Sequence, residues 1–216
     1  MQVAIALFEG FTMLDAVGPY SVLSNVPGLE IVTVAEQSGP VRDDREQHMV
    51  AEATFADVRR PDVIVVPGGL ITRRMARDGH PVIDWVRDVH PTTTWTTSVC
   101  TGSILLAAAG VLDDTDATSH WLVKDQLRAL GAKPVDERVV RRGRVVTAAG
   151  VSSGIDMALT LVALDQGDLV AQAVQLGIEY DPQPPFDAGS PASAPEPIVQ
   201  LVGDMMRARE EEILNA

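Results

Sequence analysis

One stretch constrains this chain more than any other: Thr93-Thr94-Trp95-Thr96-Thr97-Ser98-Val99-Cys100-Thr101-Gly102-Ser103-Ile104-Leu105-Leu106-Ala107-Ala108-Ala109-Gly110. Its first half is β-branched and aromatic and predicts a strand. Its second half is Leu/Ala-rich, stops at Gly110 and predicts a short helix with a glycine end signal. Cys100 sits at the junction and is the only cysteine of the 216 residues. A nucleophile on a sharp strand-to-helix turn is displayed at a sheet edge, with helix N–H groups beside it. Gly102 lets the backbone turn without a Cβ in the way. The positive helix end favours thiolate over thiol, and the thiolate is the nucleophile. The plainer alternative is a buried cysteine acting as a small hydrophobe. A merely structural cysteine needs no such turn.

The rest of the chain alternates between strand and helix patterns. Residues 2–8 run apolar, as a buried strand does, and residues 29–35 make a second strand. Between them, Asp15 fits a helix N-cap, and Pro19 is expected in the first turn, where its missing N–H costs little. Residues 40–54 are polar and punctuated and predict a hairpin excursion. Pro61 to Gly69 is a fully apolar strand ending in a Pro-Gly-Gly turn, the pattern of a central parallel strand. A short helix is expected over 81–89, another from His120 to about Leu130, and a hairpin over 138–148 turning at Arg142-Gly143. A second strand-to-helix corner spans Ala149 to Asp156, and its helix continues through Leu164 before Asp168 starts one more. This alternation predicts a doubly wound α/β sandwich with a mostly parallel central sheet.

The tail has a different character. Residues 181–197 hold six prolines and predict an extended arm. Ser193 and Glu196 match a capping box for a last helix with Ile198, Leu201, Val202, Met205 and Met206 on one face. The expected division is therefore a domain over 1–180, with an arm and helix over 181–216. These pack on the same domain or clasp a partner, and a homodimer is expected from the commonness of twofold oligomers.

Composition excludes several classes. A net charge of −13 argues against nucleic acid as a partner. No run of 18 uncharged apolar residues exists, so no membrane span is expected. Met1–Phe8 reads as a first strand and not as a signal peptide, and a lone cysteine fits a reducing cytoplasm. No GxGxxG, Walker loop or HExxH motif occurs, and the four histidines lack metal-ligand spacing, so neither metal nor cofactor is expected.

Three pieces are expected to converge at the carboxyl edge of the sheet: Cys100, the Pro67-Gly68-Gly69 turn, and Asp15. The N–H groups of Gly69, Leu70 and Thr101 are candidates for an anion-stabilising pocket. Asp15 is a candidate proton carrier as well as a cap. The Thr101 hydroxyl is a candidate donor to a water or to Asp15. His120, taken alone, fits a helix-start or core role better than a catalytic base.

With these residues in view, the chain resembles the ThiJ/PfpI superfamily of flavodoxin-like cysteine proteins. The resemblance rests on Val65-Val66-Pro67-Gly68-Gly69 and Ser98-Val99-Cys100-Thr101-Gly102-Ser103. Ala117-Thr118-Ser119-His120-Trp121 and Gly150-Val151-Ser152-Ser153-Gly154-Ile155-Asp156 are similar to the branch holding isocyanide hydratases and the amidase-like domains of AraC-type regulators. The tail Gln175–Pro191 is similar to that of the hydratases. The regulators also need a helix-turn-helix domain, for which no room is expected before Ala216. Two departures narrow the choice. Protease-like members place His after the cysteine, where this chain has Thr101. Glyoxalase-like members use Glu near the thiol, where this chain has Asp15.

The resemblance implies a cofactor-free, cysteine-dependent enzyme hydrating an isocyanide to an N-substituted formamide. Cys100 would form a thioimidate, and Asp15 and Thr101 would position water and move protons. Gly69, Leu70 and Val151 would supply backbone donors, and His120, Trp121 and Tyr180 would line the substrate pocket. Two rivals stand beside this: a glyoxalase-like small-molecule enzyme, and a non-enzymatic redox sensor or ligand-binding module in which Cys100 cycles to sulfenic acid.

Overall fold

The computed structural model describes residues 1–215. Strand β1 (Gln2–Ala6) is followed by helix α1 (Met13–Leu23) and by β2 (Glu30–Ala35), which lies parallel to β1. The polar 40–54 stretch folds as a hairpin of β3 (Gly39–Arg42) and β4 (His48–Ala51), and the short β5 (Ala53–Thr54) then joins β2. β6 (Val63–Val66), α2 (Thr72–Asp78), α3 (Pro81–Val89), β7 (Trp95–Val99) and α4 (Gly102–Ala108) form the middle of the chain. Next come β8 (Asp116–Ala117), α5 (Lys124–Ala129), β9 (Lys133–Pro134), β10 (Val139–Arg142) and β11 (Val145–Ala148). The chain closes with α6 (Ser153–Gln166), α7 (Asp168–Gly177) and α8 (Glu196–Asn215).

Seven strands make the central sheet, in the order β10-β11-β7-β6-β1-β2-β5. Every pair is parallel except β10–β11, which is the expected 138–148 hairpin. Strand order reverses between β1 and β6. A chain that winds outward in both directions from such a point leaves a crevice at the carboxyl ends of the two strands, and ligands bind there. β6 and β7 are buried on both faces, which is why they read as unbroken apolar or β-branched runs. The threonines of β7 survive burial because they find partners: Thr97 Oγ1 donates to the Ile64 carbonyl at 2.8 Å, and Thr96 Oγ1 pairs with Thr93 Oγ1 at 2.7 Å.

Several local expectations are corrected. α1 starts at Met13 with Thr12 as N-cap, so Asp15 lies inside the first turn and caps nothing. Pro19 is inside α1 and not in its first turn, so the Asp15 carbonyl loses the donor it would have met four residues on. The helix expected from His120 is split into a 3₁₀ turn over Trp121–Val123 followed by α5. Ser193 does not form the capping box, because its hydroxyl pairs with Ser190 at 3.1 Å. The helix α2 carries no strong pattern and was not expected from sequence. Residues 181–195 contain neither helix nor strand, as their prolines require. Along α8, Ile198, Leu201, Val202 and Met205 are exposed, and only Met206 of the expected apolar face turns partly inward. Among the described residues no helix is long and apolar enough to cross a membrane.

Candidate active site

The elbow after β7 is tighter than its sequence suggests. Cys100 itself adopts a left-handed backbone, with φ of 57°. Such a conformation in a non-glycine residue costs free energy and persists only where the surroundings hold it. Here the Cys100 N–H donates to the Ala149 carbonyl at 2.8 Å. Its carbonyl accepts from Ser103 Oγ at 3.1 Å and from Ser119 Oγ at 3.0 Å. Gly102 serves close approach: a Cβ there would stand 2.1 Å from the Val66 carbonyl oxygen. Its absence lets α4 start against the end of β6.

Asp15 reaches the same place from the first turn of α1. Its carboxyl is fully buried, and Oδ2 accepts from the Gly68 N–H at 2.8 Å. A side chain at Gly68 would meet both Thr101 and Asp15, so glycine is what lets the two segments meet there. Oδ1 has no hydrogen-bond partner among the described residues. No bond of good geometry joins it to the thiol, yet the carboxyl and Cys100 lie close enough for each to act on the other's ionisation. Burial raises the Asp15 pKa to about 7. The Gly68 N–H opposes the rise, the Asp44 carboxylate adds to it, and Cys100 opposes it. Burial also pushes the Cys100 thiol up, and the Asp15 charge adds to this, against N–H groups of Val151 and Thr101 directed at the sulfur. Burial works against the thiolate that the sequence leads one to expect: Cys100 is 5% exposed, and the helix α4 whose positive end would favour the thiolate spans only Gly102–Ala108. Burial therefore disfavours ionisation of both members of the pair.

The Thr101 hydroxyl does not serve Asp15. It donates to the Gly69 carbonyl at 3.0 Å and accepts from the Gly69 N–H at 2.9 Å. The Gly69 N–H is therefore occupied and not free to stabilise an anion, and the Gly68 N–H is taken by Asp15. The backbone donors directed at the sulfur are those of Val151 and Thr101. Val151 follows β11, at the second strand-to-helix corner, so β1, β6, β7 and β11 all deliver a piece to one edge.

Cys100 opens into a cavity of about 420 Å³. Leu70, Thr101, His120 and Val151 line it together with Met13, Leu14, Leu122 and Val123. The volume suits a small molecule, and the wall mixes these apolar side chains with charged ones from Asp43, Asp44, Arg45, Arg73, Arg207 and Glu210. His120 spans this cavity and a second one of about 820 Å³. Its Nδ1 caps the 3₁₀ turn by accepting from the Leu122 N–H at 3.4 Å, and burial lowers its pKa, so it stays neutral at pH 7. Trp121 lines only the second cavity. Tyr180 lines neither; its hydroxyl donates to Asp156 Oδ1 at 3.2 Å, within a network that includes Arg138. Placing Trp121 and Tyr180 in the Cys100 pocket is thus corrected: the 3₁₀ turn rotates the first to the far side of His120, and α6 holds the second. Sequence reading missed Arg73, Asp44, Met206 and Glu210, which also line the Cys100 cavity. They come from α2, the β3–β4 turn and α8, segments whose charge patterns look like ordinary solvated faces. Among the described residues no group of three His, Cys, Asp or Glu is placed to hold a metal ion.

Comparison with known proteins concerns the chain as a whole. The model of the DJ-1/PfpI family matches residues 1–164. The chain is 42% identical over 199 residues to the isonitrile hydratase of Pseudomonas putida, covering 92% of this chain and 87% of that protein. It is 28% identical to the Parkinson disease protein 7 homolog of Danio rerio, over 79% of this chain and 93% of the relative. The crystal structure of a ThiJ/PfpI family protein from Pseudomonas syringae superposes with a TM-score of 0.92 at 36% identity, covering 99% of this chain and 89% of that one. Drosophila melanogaster DJ-1beta superposes with a TM-score of 0.74 at 23% identity, over 82% and 97% of the two chains, and so shares the fold. With the family's model spanning three-quarters of the sequence and the elbow, sheet order and edge cavity in place, the chain belongs to the DJ-1/PfpI family.

Proposed function

We propose that this protein is an isocyanide hydratase, a lyase-class enzyme that joins R–N≡C and water into R–NH–CHO. The observation that carries the reading is the meeting of the lone thiol and the fully buried Asp15 carboxyl at one edge of the sheet, beside the same cavity. Similarity to a protein named isonitrile hydratase supports it.

An isocyanide carbon is a poor electrophile until it receives a proton. A resting thiol with a neighbouring carboxylate suits that need better than a free thiolate would. Asp15 takes the proton from Cys100 Sγ, the sulfur bonds to the isocyanide carbon, and Asp15 passes the proton to that same carbon. The product is the thioimidate R–N=CH–S–Cys100, which contains every atom of thiol and isocyanide. Water then adds to the C=N carbon, with one proton going to nitrogen through Asp15. The adduct R–NH–CH(OH)–S–Cys100 collapses as the C–S bond breaks, the hydroxyl proton returns through Asp15 to sulfur, and the formamide leaves. The N–H groups of Val151 and Thr101 stabilise charge on the sulfur as it leaves. The chain's own side chains account for every proton transfer in this scheme.

The sensor reading is less well supported. Oxidation to sulfenic acid requires thiolate character and access, and the Cys100 thiol is both buried and pushed up. The reading also includes a homodimer in a reducing, cytoplasmic compartment. Apolar side chains left exposed on α8 and in the arm, among them Leu201, Met205 and Phe186, support burial against a second copy. An assay of phenyl isocyanide beside methylglyoxal tests the activity: formamide formation without lactate formation is expected, and the converse overturns the reading.

A further inference from the structure

Part of the wall around Cys100 lies outside the segment shared across the family. Met206, Arg207 and Glu210 of α8 line the cavity, whereas the family match ends at residue 164. The common domain supplies the cysteine and the aspartate, and the tail closes the space above them. Three polar contacts hold the tail there, one of them from Arg74 Nη1 to the Ile213 carbonyl at 3.2 Å. Glu210, only 9% exposed, receives Arg73 Nη1 at 2.5 Å. Arg209 Nη2 donates to the Asp44 carbonyl at 2.6 Å. Arg73 also donates through Nη2 to the Leu122 carbonyl at 3.2 Å, so one guanidinium ties α2, α8 and the 3₁₀ turn around the cavity. Removing either partner would leave the other in this partly buried place without its counter-charge.

Met206 stands four residues before Glu210, one helical turn away and on the same side of α8. It is partly buried, while the adjacent Met205 is 63% exposed. An isocyano group is only two heavy atoms, so most of a cavity of about 420 Å³ must meet the substituent. The wall offers that substituent Leu70, Leu122, Val123 and Met206 beside the charged Asp43, Asp44, Arg45 and Arg207, and of the four apolar side chains Met206 has the most conformational freedom. We propose that Met206, held in place by the Arg73–Glu210 pair, sets the size of the apolar isocyanide substituent that the pocket accepts. This rests on the hydratase reading and names its substrate class: isocyanides whose apolar group fits the space that Met206 leaves in the cavity.

The test compares tert-butyl isocyanide with 4-biphenylyl isocyanide for the wild type, Met206→Trp and Met206→Ala. The ratio of kcat/KM for biphenylyl over tert-butyl is expected to fall about tenfold in Met206→Trp and to rise in Met206→Ala. A ratio that stays put in both variants, or moves the opposite way, overturns the proposal. Labelling gives a readout that needs no turnover, because Cys100 is the only thiol in the chain. N-(1-pyrenyl)maleimide and iodoacetamide differ greatly in size. Met206→Trp is expected to slow the pyrenyl reagent more than iodoacetamide, and Glu210→Gln, which loosens the pin, to speed the pyrenyl reagent selectively. Size-selective labelling without any isocyanide turnover leaves the wall standing and sinks the hydratase reading. Turnover with no change in either selectivity does the reverse.

Discussion

The proposed chemistry turns on two groups, the Cys100 thiol and the Asp15 carboxyl, that burial makes reluctant to ionise. Asp15 ionises near 3.8 in the unfolded chain and near 7 in the folded one. Between those values the folded chain holds a proton that the unfolded chain releases. Stability therefore falls as pH rises through that window, and the whole loss, on the order of 4 kcal/mol, is present above it. Asp15→Asn removes the loss. In thermal melts its advantage over the wild type should be near zero at about pH 4 and reach several degrees by about pH 8. An advantage equal at both values contradicts the assignment. Activity has the opposite preference, because a protonated Asp15 has no room for the thiol's proton. The kcat/KM for an isocyanide should rise as pH climbs through about 7, and Asp15→Asn should cost about 10²- to 10⁴-fold. A flat profile from about pH 5 to pH 9 speaks against the relay.

At the scale of elements, precision comes from where helices are allowed to start. α4 can begin against β6 only because Gly102 has no Cβ, and the left-handed Cys100 is held by hydroxyls from Ser103 and Ser119. Gly102→Ala places a methyl in the space of the Val66 carbonyl and should destabilise by about 1–3 kcal/mol or more. Activity should drop further than stability alone accounts for, since the elbow aims the sulfur. A variant with wild-type melting and turnover would show that α4 can shift freely. Much at this scale was legible beforehand. Strand–Cys–helix, Pro-Gly-Gly and the 138–148 hairpin are local patterns, written in β-branched runs and glycines. The hydrogen-bond partners of Asp15, Thr101 and Gly69 were not legible. Each depends on partners 32 to 53 residues away, and a residue that fits a cap locally gives no sign that a distant N–H has claimed it.

For the whole molecule, the doubly wound order followed from alternation of strands and helices, because right-handed parallel crossovers leave few other solutions. The tail was harder. The solvent-like charges of α8 concealed Glu210, and the apolar face that suggested packing turned out largely exposed. The homodimer reading predicts that light scattering returns twice the 23.1 kDa of one chain. A single-chain mass at micromolar concentration would leave the exposed apolar side chains of α8 without the partner proposed for them. The central claim is that one sulfur carries the covalent chemistry. It is tested most directly by measuring N-substituted formamide formed from phenyl isocyanide by the wild type and by Cys100→Ala. The account predicts steady product with the wild type and none above solvent background with the variant. Product from Cys100→Ala at a rate comparable to the wild type would contradict it.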